Sequence, residues 1–418
     1  METAGILRDA CDGVQRRNGA LPGRVRTRMS RPLTHFLAAL LLAAAASAAS
    51  PLSAPMHDVE RIRGLKFEHE IKHVSIGRDE LPARIQAQMR KSMPYSFDDY
   101  MLVLRSLQLV DGRNDKLMSQ LLDLYQSQVL AFYDPLDHVY YSIREMPKAM
   151  DASGLDPATM RDMVVIHELT HALQDQRFGA GAREATLTKD SDGELAFHAL
   201  LEGEATLVMM AYMLDKLGQP IDALVQNPAV LESLAGTADK NIDPNMPRYF
   251  VESLKFPYME GLRLCIEGYR RGGWKELDKM DANPPRSTRE VLHPGDYFAR
   301  LERGAQGKAF DDAALVAAPG LLTVEHLGEF HWRYLVGAKA STGWVDDRVQ
   351  IAQSDACEPT VLAETRWSSE ESARAFRDAY LAFLHDRGVA ARASLEGERV
   401  RVAYGADAAL IAKFLGTT

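Results

Sequence analysis

Cysteine is scarce in this chain of 418 residues: there are three, at positions 11, 265 and 357. None forms a CxxC pair or joins a Cys/His cluster, so a thiolate zinc knuckle is excluded and any zinc must be held by nitrogen and oxygen. Basic charge is short as well, with 49 Lys+Arg against 58 Asp+Glu and a formal net charge of −9. Such a surface repels phosphate, and nucleic acid is not an expected partner. Apolar runs are too short to span a bilayer, which takes roughly 20 residues; the main one extends only from Phe36 to Ala49. Internal repeats, coiled-coil heptads and low-complexity tracts are absent outside that run, so repeat architectures are set aside. What remains, 46% hydrophobic and 26% charged, is ordinary for a globular protein with a real core.

The first 48 residues read as a separate matter. Arg24, Arg26, Arg28 and Arg31 precede the apolar run, and Ala46-Ser47-Ala48 supplies small residues for a signal peptidase. We expect an export signal cleaved after Ala48 and a periplasmic or secreted product. Met29 alone would start an ordinary signal, so residues 1–28 read as an over-long start. No cysteine lies at the cleavage site, which argues against a lipid anchor, and no stable membrane anchor is expected after cleavage. Removal of residues 1–48 takes away seven arginines and three acids, moving the charge from −9 to about −13. Cys265 and Cys357 would remain, and an oxidising compartment would allow them to pair.

Along the mature chain, Leu65 to Ile76 alternates apolar and polar residues as a strand does. Leu81 to Met93 and Tyr95 to Leu109 read as helices. Two β-rich runs, Gln128 to Tyr133 and His138 to Ser142, flank Asp134-Pro135-Leu136-Asp137 and predict a hairpin. A helix is expected from Pro157 to Phe178, opened by Asp156 as N-cap with proline at its first position and closed by Gly179 and Gly181. Asp190 to Leu217 reads as a second long helix, and Met259 to Arg271 as a shorter one. A proline-punctuated connection runs from Asn283 through Leu292-His293-Pro294 to Tyr297. Beyond Gly304 the pattern changes to a helix around Glu325 to Val336, strands near Arg348 to Ala352 and Val361 to Trp367, a helix from Ser369 to His385, and a last strand and helix. That tail predicts a smaller α+β unit.

The Pro157 to Phe178 segment carries His167-Glu168-Leu169-Thr170-His171, an HExxH pattern. A helix turns about 100° per residue, so His167 and His171 point the same way and both imidazoles can reach one ion, with Glu168 beside it. The surroundings, Met163 to Ile166, Leu169, Ala172 and Leu173, are apolar, and polar side chains in such a place need partners. Zinc is the expected cofactor. Catalytic zinc usually takes a third protein ligand. Glu194, His198, Glu202 and Glu204 lie on the second helix. Spacing of four puts the first three on one stripe, while Glu204 lies about 200° from Glu202.

On these residues the chain resembles the gluzincin metallopeptidases, whose third ligand is a glutamate on the helix after HExxH, often followed by glycine and a nearby alanine. His167, Glu168 and His171 match the motif, and Glu202 in Leu201-Glu202-Gly203-Glu204-Ala205 matches the third position. Glu204 is the alternative and His198 the next. Gly203 is expected to let the two helices approach around the ion. Asp175 extends the likeness to thermolysin-like enzymes. Thr206, however, stands where those enzymes carry an acid that orients a histidine, and Asp175 and His198 are the candidate replacements. Gln174 and Arg177 exclude a metzincin. The order of a Tyr-Asp-Pro hairpin, HELTHALQDQ, LxEGxAT and ST…LHP also resembles a family of exported bacterial zincin-like proteins over most of the mature chain.

The resemblance implies a mainly helical zincin-like catalytic domain at 60–300 with a small antiparallel sheet, followed by the α+β unit at 305–418. It implies hydrolysis of a peptide or unfolded-protein substrate, with Glu168 as general base. His293 is the first candidate donor to the developing oxyanion, with Tyr258 and Tyr297 after it. A hairpin strand would pair with the extended substrate. A zincin-like envelope protein that binds metal without turnover is the second reading, and hydrolysis of a non-peptide amide the third.

Overall fold

The computed structural model describes residues 50–92, 96–111, 116–145, 156–187, 190–227, 246–304, 316–318, 320–353 and 359–417. The expected signal at 1–48 and Cys357 lie outside the described residues. Cys265 is buried, with its thiol toward the Leu200 carbonyl.

The fold is α+β. Helix α1 (Ser53–Arg63) stops at Gly64, whose left-handed backbone (φ 69°) caps it. Strand β1 (Lys72–Ile76) and helices α2 (Leu81–Ser92), α3 (Phe97–Ser106) and α4 (Leu117–Gln128) lead to the hairpin β2 (Ala131–Asp134) and β3 (Val139–Ile143). The expected strand at 65–76 thus forms only over its second half. It also runs parallel to β3, giving a mixed sheet of order β1-β3-β2 in place of an antiparallel one, with β2 at the edge.

The expected 157–178 helix is α5 (Pro157–Phe178). Asp156 accepts from the Ala158 and Thr159 amides at its start, and Gly179 closes it in the left-handed conformation. The brief α6 (Ala180–Glu184) follows, and then α7 (Ser191–Lys216), capped by Asp190. Beyond α8 (Asp222–Val225), the short helix expected at 259–271 proves to be the last half of α9 (Arg248–Gly272), which continues through Pro257. Then come α10 (Trp274–Ala282), α11 (Thr288–Leu292) and α12 (Pro294–Arg303); the expected connection at 283–297 holds all of α11 and the first turn of α12, divided at His293.

Helices α5, α7 and α9 stack side by side, with α7 in the middle. A side chain at Gly203 would meet Gly261 of α9, and one at Gly261 would meet the Ala199 backbone. Gly203 therefore admits α9 at van der Waals distance, not the HELTH helix as expected. Its own backbone is ordinary helix; what it supplies is space.

The tail builds a five-stranded antiparallel sheet of order β4-β5-β6-β8-β7 from β4 (Leu321–Glu325), β5 (Trp344–Gln353), β6 (Pro359–Trp367), β7 (Ala391–Glu396) and β8 (Arg399–Gly405). Helices α13 (Gly328–Val336), α14 (Ala338–Ser341), α15 (Glu370–Asp386) and α16 (Ala408–Leu415) complete it. Glu325 ends a strand instead of opening a helix, because Gly328, with φ 75°, turns the chain between them. One apolar core runs from α7 and α9 into α13, α15 and β5, β6 and β8, joined by Leu200, Leu264, Trp332, Phe376 and Val402. The Asp347 carboxylate, fully buried, accepts from the amides of Leu327 and Gly328 and from the indoles of Trp332 and Trp344, tying β5 to α13.

Candidate metal centre

Helical periodicity places His167 and His171 one above the other on α5, and α7 brings Glu202 across to them. The His167 Nε2 lies 3.0 Å from Glu202 Oε2 and 3.2 Å from His171 Nε2, and the third edge, His171 Nε2 to Glu202 Oε2, is 3.5 Å. Ligands at about 2.0–2.1 Å from a tetrahedral ion sit roughly 3.3–3.4 Å apart. The triangle fits a first-row divalent ion with two nitrogens and one oxygen, and among the described residues this is the group of His, Cys, Asp and Glu side chains so arranged.

Electrostatics explains why the three stay together. Burial works against a charged Glu202, yet His171 and His167 outweigh it and hold its carboxyl well below the usual range. Burial likewise opposes a charged His171, and Glu202 overrides it, raising the imidazolium to about 9. A metal ion would take over the role these protons play. His198, expected among the alternatives, reaches Glu202 Oε1 at 3.4 Å and Glu184 at 3.7 Å, so it steadies the outer oxygen of that carboxylate. Glu204 points away, as its 200° offset requires. It is 1% exposed and paired with Arg63 of α1, which rules it out as the third ligand.

Glu168 faces the hairpin. The Tyr133 amide, on the open edge of β2, donates to Glu168 Oε2 at 2.9 Å. Burial raises the Glu168 carboxyl, with His167 and His171 pulling against it. Asp175 orients neither histidine of the triad: it accepts from Tyr133 Oη at 2.8 Å and from the Gly181 amide at 3.0 Å, and meets His138 Nδ1 at 3.0 Å, lashing the hairpin to α5. The group that does orient a histidine is Gln174, whose Oε1 lies 3.0 Å from His171 Nδ1. Sequence reading missed this role. The signal was available, since Gln174 is one helical turn past His171 and 2% exposed here.

His293 is not brought to the triad. Its Nε2 lies 2.8 Å from Glu329 Oε1 of α13, and its place at the α11–α12 junction turns it to the tail unit. Tyr297 is fully buried and donates to the Asn283 carbonyl. Tyr258 is the one that comes to the site, its ring stacked 6.3 Å from that of His167 and 44% exposed. With His198 and Glu202 it borders a cavity of about 500 Å³, walled by Val103 and Leu104 of α3, by Leu107 just beyond it, and by Tyr249 and Pro257 of α9.

Residues 299–413, the tail unit and the end of α12, match a family described as a domain of unknown function, DUF8575. No curated protein and no solved structure matches the chain. Among the described residues no helix is long and apolar enough to cross a membrane.

Proposed function

We propose that the protein is an exported zinc-dependent peptidase of gluzincin type, with His167, His171 and Glu202 as metal ligands and Glu168 as general base. The observation that carries this reading is the ligand triangle, with edges of 3.0, 3.2 and 3.5 Å. Zinc held by His167, His171 and Glu202 would supply Lewis acidity for the activation of water and of a substrate carbonyl.

The chain's own residues supply the rest. Glu168 Oε1 takes the proton from the attacking water and returns it to the leaving amine nitrogen, while the Tyr133 amide keeps the other carboxylate oxygen in place. Burial, which raises the Glu168 carboxyl, makes it a better proton acceptor than an exposed glutamate. Tyr258, not His293, is the donor we assign to the developing oxyanion. The cavity beside Glu202, lined by Glu184, Glu194 and Glu325 as well as by apolar side chains, receives a substrate side chain.

The test compares the purified chain with Glu168→Gln for zinc content and for cleavage of a peptide library. Loss of cleavage with zinc retained supports catalysis. Stoichiometric zinc with no cleavage by the wild-type chain favours a metal-binding protein without turnover.

A further inference from the structure

A buried chain of charge-assisted contacts runs from α1 to His171, and none of its members touches the triad's open side. Arg63, the last residue of α1, is 2% exposed. Its guanidinium donates through Nε to Glu204 Oε1, through Nη2 to Asp278 at 3.0 Å and Asp281 at 3.5 Å, and through Nη1 to the Trp274 carbonyl at 3.3 Å. Glu204 Oε2 in turn accepts from Gln174 Nε2 at 2.8 Å, and the Leu201 carbonyl accepts from the same nitrogen at 3.2 Å.

This settles which way the Gln174 amide points. Carboxylate and carbonyl oxygens can only accept, so both must face the NH2 group, and Oε1 is left toward His171 Nδ1. An oxygen there requires a proton on Nδ1. The proton that His171 gives up to a metal is then the one on Nε2, the atom that faces Glu202 and His167. With the amide turned over, its NH2 would face Nδ1 and favour the opposite tautomer, whose Nε2 carries a proton and cannot bind a metal.

We propose that Arg63 is a positioning residue for the metal centre: it holds Glu204, Glu204 holds the Gln174 amide, and the amide holds His171 in its ligating tautomer. The inference rests on the metal reading above and deepens it, because docking of α1 becomes a condition for a competent site.

Cobalt(II) titration of the purified chain, followed by visible absorption, tests this alongside urea unfolding of the same samples. Gln174→Met and the paired Arg63→Met/Glu204→Met should bind Co2+ roughly 10- to 100-fold more weakly while still unfolding cooperatively. The paired variant removes the Arg63 and Glu204 charges together but leaves the buried Asp281 without its cation, so Gln174→Met, which touches no charge, decides the outcome should the pair fail to fold. Arg63→Lys, which keeps a cation on Glu204, should recover much of the affinity. Arg61→Met, which cuts only the exposed ion pairs of the same helix to Asp58 and Asp215, should bind as the wild type does. Folded variants of Gln174 or of the Arg63/Glu204 pair with undiminished affinity overturn the inference alone. A wild-type chain that takes up no cobalt overturns the metal reading and this inference with it.

Discussion

Gly261→Ala is the substitution whose cost follows most directly from the helix stack. An alanine Cβ there would fall 2.7 Å from the Ala199 carbonyl carbon, and closer to its oxygen. Carbon atoms rest at about 3.5–4.0 Å, so α7 and α9 must part by roughly 1 Å, and a gap of that size forfeits up to about half of each dispersion contact across it. Neither partner can yield, because both are helical backbone. Overpacking costs about 1–3 kcal/mol, and a rigid obstacle belongs at the top of that range. About 3 kcal/mol corresponds to a fall in Tm of roughly 4 °C for a cooperative unit of this size, at ~2.1 cal/mol/K of unfolding entropy per residue. Gly268→Ala on the same helix is the control. Its Cβ crowds the thioether end of Met280, a flexible side chain, and meets Phe298 Cζ at an ordinary 3.7 Å, and it gains the same helix propensity of up to ~1 kcal/mol. Differential scanning calorimetry of both variants should show Gly261→Ala about 4 °C below wild type and Gly268→Ala within about 1 °C of it. Equal shifts in the two would refute the reasoning, because propensity and not helix contact would then govern both.

Three further outcomes follow from the same contacts. Asp347→Ala leaves four buried donors without an acceptor and should cost more than about 3 kcal/mol by urea unfolding, with Asp347→Asn recovering only part. His331 is buried and neutral in the fold, where it meets the Tyr249 hydroxyl and the Leu327 carbonyl, and burial lowers its pKa to about 4. The unfolded chain takes up its proton near pH 6.5, so this contribution to stability is full above pH 6.5 and is lost as pH falls toward 4, to about 3 kcal/mol. Urea midpoints at pH 7, 5.5 and 4.5 should converge for wild type and His331→Phe, and parallel curves would contradict this. Tyr258→Phe should lower kcat for peptide cleavage by about 10- to 1000-fold with zinc content unchanged, whereas His293→Ala should leave kcat near wild type.

Much of this architecture is legible in the chain because it rests on local chemistry. Asp156-Pro157 and Gly179 bound α5 through capping groups within a few residues, and the period of 3.6 puts His167 and His171 on one face and turns Glu204 away from Glu202. The Asp134–Asp137 turn is local in the same sense. What escaped was decided across space. The partner of Gly203 is Gly261, and no spacing rule connects them. Arg63 reaches Glu204 from 141 positions away. His293 looked available beside its proline, yet Glu329 of a distant helix claims its ring, while Tyr258 reaches the site because α9 continues unbroken through Pro257. The length of β1 was overcalled because alternation continues past the point where β3 can pair with it.

The central claim is that one metal ion sits among His167, His171 and Glu202. Elemental analysis of the dialysed chain beside Glu202→Ala, with X-ray absorption at the zinc edge, tests it most directly. The account predicts one zinc per wild-type chain, in a shell of nitrogen and oxygen at about 2.0–2.1 Å without sulfur, and none in Glu202→Ala. A metal-free wild-type chain, or zinc retained in full by Glu202→Ala, would contradict it.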